Sequence, residues 1–232
     1  MLKNLRRAAA LTAAAATAIV LVSAGSVARA QTVDLAGEWA FSAGGERFTG
    51  SVTLPGSMLT NGKGDPVDIN TPWTGGIVGR AFFDSEQYAP YRRAGKEFRV
   101  PFWLQPDLYY AGEARYSRDF TAPATWEGQD VILRLERPHW QTTVSIDGAE
   151  AGSCRSLGTP HEFDITPWVK PGRTHHLSIT VDNRTKNLDP GENSHSVSDH
   201  TQGNWNGIVG DLKIYSRPRL RIEQLDVYPD PD

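Results

Sequence analysis

The chain has 232 residues and a formal net charge of −3, with 24 Lys and Arg against 27 Asp and Glu. Its first thirty residues carry four of those bases and none of the acids, so the remainder holds a formal −7. That balance attracts no phosphate backbone and argues against a nucleic-acid partner.

Lys3, Arg6 and Arg7 form a positive start, Ala8 to Leu21 is apolar, and Ala28-Arg29-Ala30 gives a small-x-small pattern before Gln31. These are the marks of a secretory signal peptide over residues 1–30, which places the mature chain in the periplasm or outside the cell. The apolar run is too short and too rich in alanine for a membrane span, and the mature chain is expected to have none. The remaining residues, 31–232, suffice for one domain with a sizeable core. The single cysteine, Cys154, leaves no internal disulfide and reads as a small buried hydrophobe.

Period-two alternation dominates after the leader. Phe48, Gly50, Val52 and Leu54 share one face, as do Ala114, Tyr116, Arg118 and Phe120. Val131, Leu133 and Leu135 follow. Thr142, Val144 and Ile146 then run into Asp147-Gly148, a hairpin signal. Leu177, Ile179 and Val181 alternate in turn, then Leu212 with Ile214, Leu220 with Ile222, and Leu225 with Val227. No sustained helical period appears, and 22 glycines and 15 prolines supply turns between short strands. The pattern predicts an all-β sandwich.

Residues 55–107 break the pattern. They hold Asn61-Gly62-Lys63-Gly64, Thr71-Pro72-Trp73-Thr74-Gly75-Gly76 and Arg92-Arg93. They read as a long loop insertion that wraps one end of the sandwich, with a short strand near Phe98 to Val100. Trp39 and Trp168 fall within strand patterns and are expected in the core. Trp73, Trp103 and Trp140 stand near turns, and packing is the expectation for each.

The stretch His195-Ser-Val-Ser-Asp-His-Thr-Gln-Gly-Asn-Trp-Asn-Gly-Ile-Val209 is polar and breaks into the alternation of Leu212 and Ile214. An indole among amides, held against a strand, can stack on a pyranose face and hydrogen-bond its hydroxyls. His195, Asp199, His200, Thr201, Asn204, Trp205 and Asn206 are therefore the candidate substrate-binding residues. A metal at His195, Asp199 and His200 lacks a fourth protein ligand and a rigid spacing, so no metal and no cofactor is expected. No Gly-x-Ser-x-Gly elbow supports a serine nucleophile, and no glycine loop opens a helix that could cradle phosphate.

Three blocks together resemble the N-terminal sugar-binding domain of glycoside hydrolase family 2, the family of β-galactosidases, β-glucuronidases and β-mannosidases. The first is Tyr116-Ser-Arg-Asp-Phe120 with Trp126-Glu-Gly-Gln-Asp-Val-Ile-Leu-Arg-Leu-Glu136. The second is Thr143-Val-Ser-Ile-Asp-Gly148, then Gly152, Pro160-His-Glu-Phe-Asp-Ile-Thr-Pro167 and Pro171-Gly172. The third runs from Val181-Asp-Asn-Arg184 through the histidine loop to Gly207-Ile208.

The resemblance implies a jelly-roll sandwich, like a galactose-binding domain, beside an immunoglobulin-like domain and a (β/α) barrel that carries both catalytic carboxylates. It implies that the jelly roll lends a polar loop residue to the rim of the barrel's active site, in the region of Asp199 to Asn206. The sequence as written reaches Tyr228-Pro-Asp-Pro-Asp232, where the next domain is expected, and the barrel's carboxylate pair is not within it. Asp164, Glu136, Glu192 and Asp199 form no evident pair. The expected role is a non-catalytic carbohydrate-binding domain that takes β-glycosides, inactive alone, with a barrel-containing glycosidase polypeptide as a partner. A free-standing sugar-binding protein and an adaptor that binds another protein are the alternatives.

Overall fold

The computed structural model describes residues 31–75, 78–91, 99–185, 195 and 197–229. The expected signal peptide, Gly76, Arg92-Arg93 and Glu192 lie outside the described residues.

Thirteen strands follow in chain order among the described residues. They are β1 (Thr32–Asp34), β2 (Gly37–Ala43), β3 (Phe48–Leu54), β4 (Gly56–Ser57), β5 (Asp65–Pro66), β6 (Leu108–Tyr109) and β7 (Glu113–Thr121). Then come β8 (Gln129–His139), β9 (Gln141–Ile146), β10 (Ala149–Arg155), β11 (His161–Asp164), β12 (Thr174–Asp182) and β13 (Gly207–Pro218). One sheet runs β1-β13-β8-β11, with β4 also on β13, and the other runs β10-β9-β12-β7-β2-β3. Their pairings are antiparallel. The two sheets form a sandwich.

Alternation sets the faces. Val144 and Ile146 of β9, and Leu177 and Ile179 of β12, are buried while the residues flanking them are not, and Val181 is buried beside Asp182. They meet Leu133 and Leu135 of β8 and Ile214 of β13 in one core with Trp39, Phe41 and Tyr116. Packing of this density makes each methylene count. Thr142 and His161 add a buried hydrogen bond between the sheets, 2.7 Å from Oγ1 to Nδ1. Asp147 (φ +51°) and Gly148 (φ +84°) turn β9 into β10 as a tight hairpin requires. Cys154 is half-buried against the core.

The insertion has a core of its own. Trp73, Val78, Phe83, Tyr88, Val100 and Tyr109 are buried together, with Phe102 edge-on to Trp73 at 4.9 Å between centroids. A short helix, α1 (Arg80–Asp84), lies within it. The strand expected at Phe98 to Val100 is not there: Phe98 is outside the described residues, and Arg99 and Val100 belong to no strand. Val100 is instead drawn into this aromatic cluster. Trp140 is buried as well, whereas Trp103 is 87% exposed.

Beyond Pro218 the strands expected at Leu220 with Ile222 and at Leu225 with Val227 do not form. Arg221 donates to Asp130 at 2.7 Å and Arg219 lies 3.5 Å from the same carboxylate. These ion pairs hold the polar side of the segment to the body. Leu220 is left 95% exposed and Ile222 81%.

Candidate functional site

The segment between β12 and β13 carries the candidate residues. Asn183, just past β12, donates to Tyr110 O (2.7 Å) and Asn204 Oδ1 (3.0 Å), and its own Oδ1 accepts Gly112 N (2.8 Å). Asn204 donates to Thr74 Oγ1 and to Asn183 O. Asn206 donates to Gly112 O (3.0 Å) and Val181 O (2.9 Å) and accepts the Tyr116 hydroxyl at 2.8 Å. These amides are buried, and their hydrogen-bonding groups are taken up by backbone and by one another, Thr74 and Tyr116. A buried amide left unpaired is costly, which is why each is so well partnered.

Asp199 is 3% exposed. Its carboxylate accepts Thr74 N at 2.5 Å and Asn204 N at 2.6 Å, while its own N–H donates to Thr74 O. Burial pushes its pKa above the ordinary carboxylate value, and the two N–H donors pull the other way. Tyr109, hydrogen-bonded to Thr74, is likewise pushed up by burial and by the Asp199 charge. Asp199 and Thr74 thus fasten the insertion to the loop. Thr201 donates to His195 O and Ser198 O and tightens the same turn.

Of the remaining candidates, Trp205 and His195 reach the surface, while His200 buries its Nδ1. The half-buried indole of Trp205 stacks on the His139 ring, 4.8 Å between centroids and 20° between planes. His195 is exposed, and its ring centroid lies 6.2 Å from that of the half-buried His200. A cleft of about 390 Å³ opens here, lined by His139, Leu157, His195, Gln202 and Trp205 with two glycines. That volume is typical of small-ligand sites. Desolvation lowers the His139 pKa to about 4, with a hydrogen bond to Asn204 opposing the drop, so its ring is neutral at neutral pH.

The structure therefore brings His195 and Trp205 to one cleft and sets Asp199, Asn204 and Asn206 beneath it as buried supports. His139, Leu157 and Gln202 are the lining residues that sequence reasoning missed. His139 closes β8 and meets Trp205 only through the sheet, a contact that no spacing encodes. Among the described residues no group of three His, Cys, Asp or Glu side chains is placed to hold a metal ion. Three acids are tied to backbone: Glu136 accepts Asp211 N, Asp164 accepts Thr166 N, and Asp199 clamps Thr74.

No family model matches the chain. A β-galactosidase large subunit of Latilactobacillus sakei is 28% identical over 183 residues, spanning 78% of this chain and 26% of that protein. The chain is a homologue of the family 2 glycoside hydrolases. A β-glucuronidase of Paenibacillus borealis is 25% identical over 135 residues, 52% of this chain and 23% of the relative. The solved β-D-glucuronidase of Dictyoglomus thermophilum superposes with a TM-score of 0.51 at 19% identity, covering 82% of this chain and 28% of the enzyme. The chain spans about a quarter of the length of the curated relatives it matches, as one domain of a family 2 enzyme does.

Proposed function

We propose that the chain is the non-catalytic, sugar-binding domain of a secreted family 2 glycoside hydrolase. In this reading the sandwich is a jelly roll of the galactose-binding type, and a barrel elsewhere performs the hydrolysis. The observation that carries it is the Trp205–His139 stack on the wall of an open cleft. A flat aromatic face packs against the C–H groups of a pyranose, while Gln202 and His195 offer hydroxyl partners beside it. Asp199, Asn204 and Asn206 hold that face in place rather than touching ligand. His200 and Thr201 shape the turn that presents His195.

The test is calorimetric titration of residues 31–232 with methyl β-D-galactoside, β-D-glucoside, β-D-mannoside and β-D-glucuronide. Binding by the wild-type chain, lost in Trp205→Ala, is the expected result. Absence of heat with all four sugars overturns the reading. Turnover of a chromogenic β-galactoside by the same chain, abolished by mutating one of its acids, overturns the non-catalytic assignment. Export is tested separately: N-terminal sequencing of the secreted protein should begin at Gln31.

One observation favours a polypeptide partner as well. Leu220, Ile222, Leu225 and Val227 are exposed apolar side chains along one short segment, a pattern common to protein contact surfaces. The reading expects them to be covered by the barrel-bearing remainder of the enzyme. Co-purification with that polypeptide, lost in the double variant Leu220→Asp, Ile222→Asp, is the expected result.

A further inference from the structure

The geometry points to a cleft that takes an uncharged pyranoside in preference to a uronate. This inference rests on the sugar-binding reading and asks which sugars that site accepts.

Its lining offers no fixed positive charge among the described residues. The side chains that form it among the described residues are His139, Leu157, His195, Gln202 and Trp205, with no Lys or Arg. His139 stays uncharged down to about pH 4, because burial opposes its protonation. The stacked pair is therefore an apolar platform at neutral pH rather than a cationic one. A sugar carboxylate placed here would lose hydration with no guanidinium or ammonium among those side chains to replace it, and that loss is large for an ion.

Among the described residues, two cations that flank the loop are committed elsewhere. Arg184 follows β12 and could have reached toward the loop. Its guanidinium is instead held by Asp182 at 2.6 Å and by Glu113 at 2.5 Å. Arg155, next to the Leu157 turn, lies over the Trp140 ring at 5.6 Å. The wider field also disfavours anions, since the chain past residue 30 carries a formal −7. Neutral hydroxyls meet none of these costs. They find the Gln202 amide and the His195 ring at hydrogen-bonding positions around a stacking face.

The experiment is a pair of titrations at pH 7 in about 0.15 M salt, with methyl β-D-glucoside and methyl β-D-glucuronide. They differ only at C6. The glucoside should bind at least tenfold more tightly, a difference of about 1.4 kcal/mol. Gln202→Arg, which adds a cation on the rim, should narrow that ratio, and Gln202→Glu should widen it. Trp205→Ala should abolish both. Equal or tighter glucuronide binding by the wild type overturns the inference and leaves the sugar-binding reading standing. A ratio unmoved by either Gln202 variant overturns the placement of C6 in this cleft. Heat with neither of this pair overturns the inference, and the galactoside and mannoside titrations then decide whether the sugar-binding reading stands.

Discussion

Asp199 and Thr74 exchange two hydrogen bonds across 125 residues of chain, with the carboxylate accepting Thr74 N at 2.5 Å and Thr74 O accepting Asp199 N at 3.1 Å. The same carboxylate reaches Asn204 N at 2.6 Å. One side chain thus joins the aromatic core of the insertion to the loop that presents Trp205. Asp199→Ala removes the acceptor for two buried N–H groups. It should cost about 2–4 kcal/mol of stability and weaken sugar binding without touching the sugar. Urea denaturation followed by tryptophan fluorescence checks the first effect and calorimetry the second.

The amide beneath the cleft makes a sharper test of buried pairing. Tyr116→Phe strips one hydroxyl from Asn206 and should cost about 1–2 kcal/mol. Asn206→Ala orphans that hydroxyl and takes a donor from the carbonyls of Gly112, which keeps Asn183 N at 3.4 Å, and Val181. Its cost should be clearly greater, about 3 kcal/mol or more. Equal losses for the two variants in guanidinium titrations would show that the Asn206 amide contributes nothing beyond the tyrosine contact.

Two histidines make the fold sensitive to acid. Burial lowers the pKa of His139 to about 4, and it lowers that of His161, whose Nε2 donates to Ser156 O while Nδ1 accepts from Thr142. For a base whose folded pKa is depressed, the unfolded chain takes up the proton first. Stability is then full above the ordinary histidine value of about 6.5 and falls as pH drops below it, for His139 until about pH 4. The His139 share amounts to about 3 kcal/mol. Asp147, held below its ordinary value by the His176 N–H and by His175, adds to the loss at more acid pH. Denaturation midpoints measured between pH 7 and pH 4 should decline steadily, and His139→Gln should flatten the slope.

Close backbone approach accounts for Gly207. A Cβ there would sit 2.4 Å from Gly56 O and 2.6 Å from Ser57 Cα, where β4 pairs with the start of β13. Gly207→Ala should break that pairing at a cost above about 2 kcal/mol. Gly79→Ala, with nothing within 4 Å of the new methyl, should stay within about 0.5 kcal/mol of wild type. Thermal melts of both variants provide the comparison.

Where side-chain alternation coincided with a partner strand, the sequence revealed the fold. Thr142, Val144 and Ile146 meet Leu177, Ile179 and Val181 across β9 and β12, and the Asp147-Gly148 turn lies where its φ preferences put it. Leu220 and Ile222 alternate just as cleanly and yet pair with nothing described. Alternation specifies a face and is silent about a neighbour. The insertion was opaque for another reason. Its core is made of Trp73, Phe83, Tyr88 and Phe102 packed edge to face from loops and short helical turns, which leaves no period to read. At the site, the polar character of the loop was evident, but the direction of each side chain was not. Asn204 and Asn206 have the groups a sugar needs and spend them on carbonyls and neighbouring side chains, whereas His139 joins Trp205 only once β8 lies beside β13.

The position of β13 bears on how the molecule assembles. It is hydrogen-bonded to β1, β4 and β8, so the first described strand finds its partner only when the last described strand has been made. Contacts between such distant parts of the chain are slow to form, because loop closure comes before any reward from pairing. As the chain folds, β1 and β4 wait as unpaired strands until β13 takes its place. A chain cut short before Gly207 therefore leaves β1, β4 and one edge of β8 without a partner, and the cleft is among the last parts of the fold to acquire its shape.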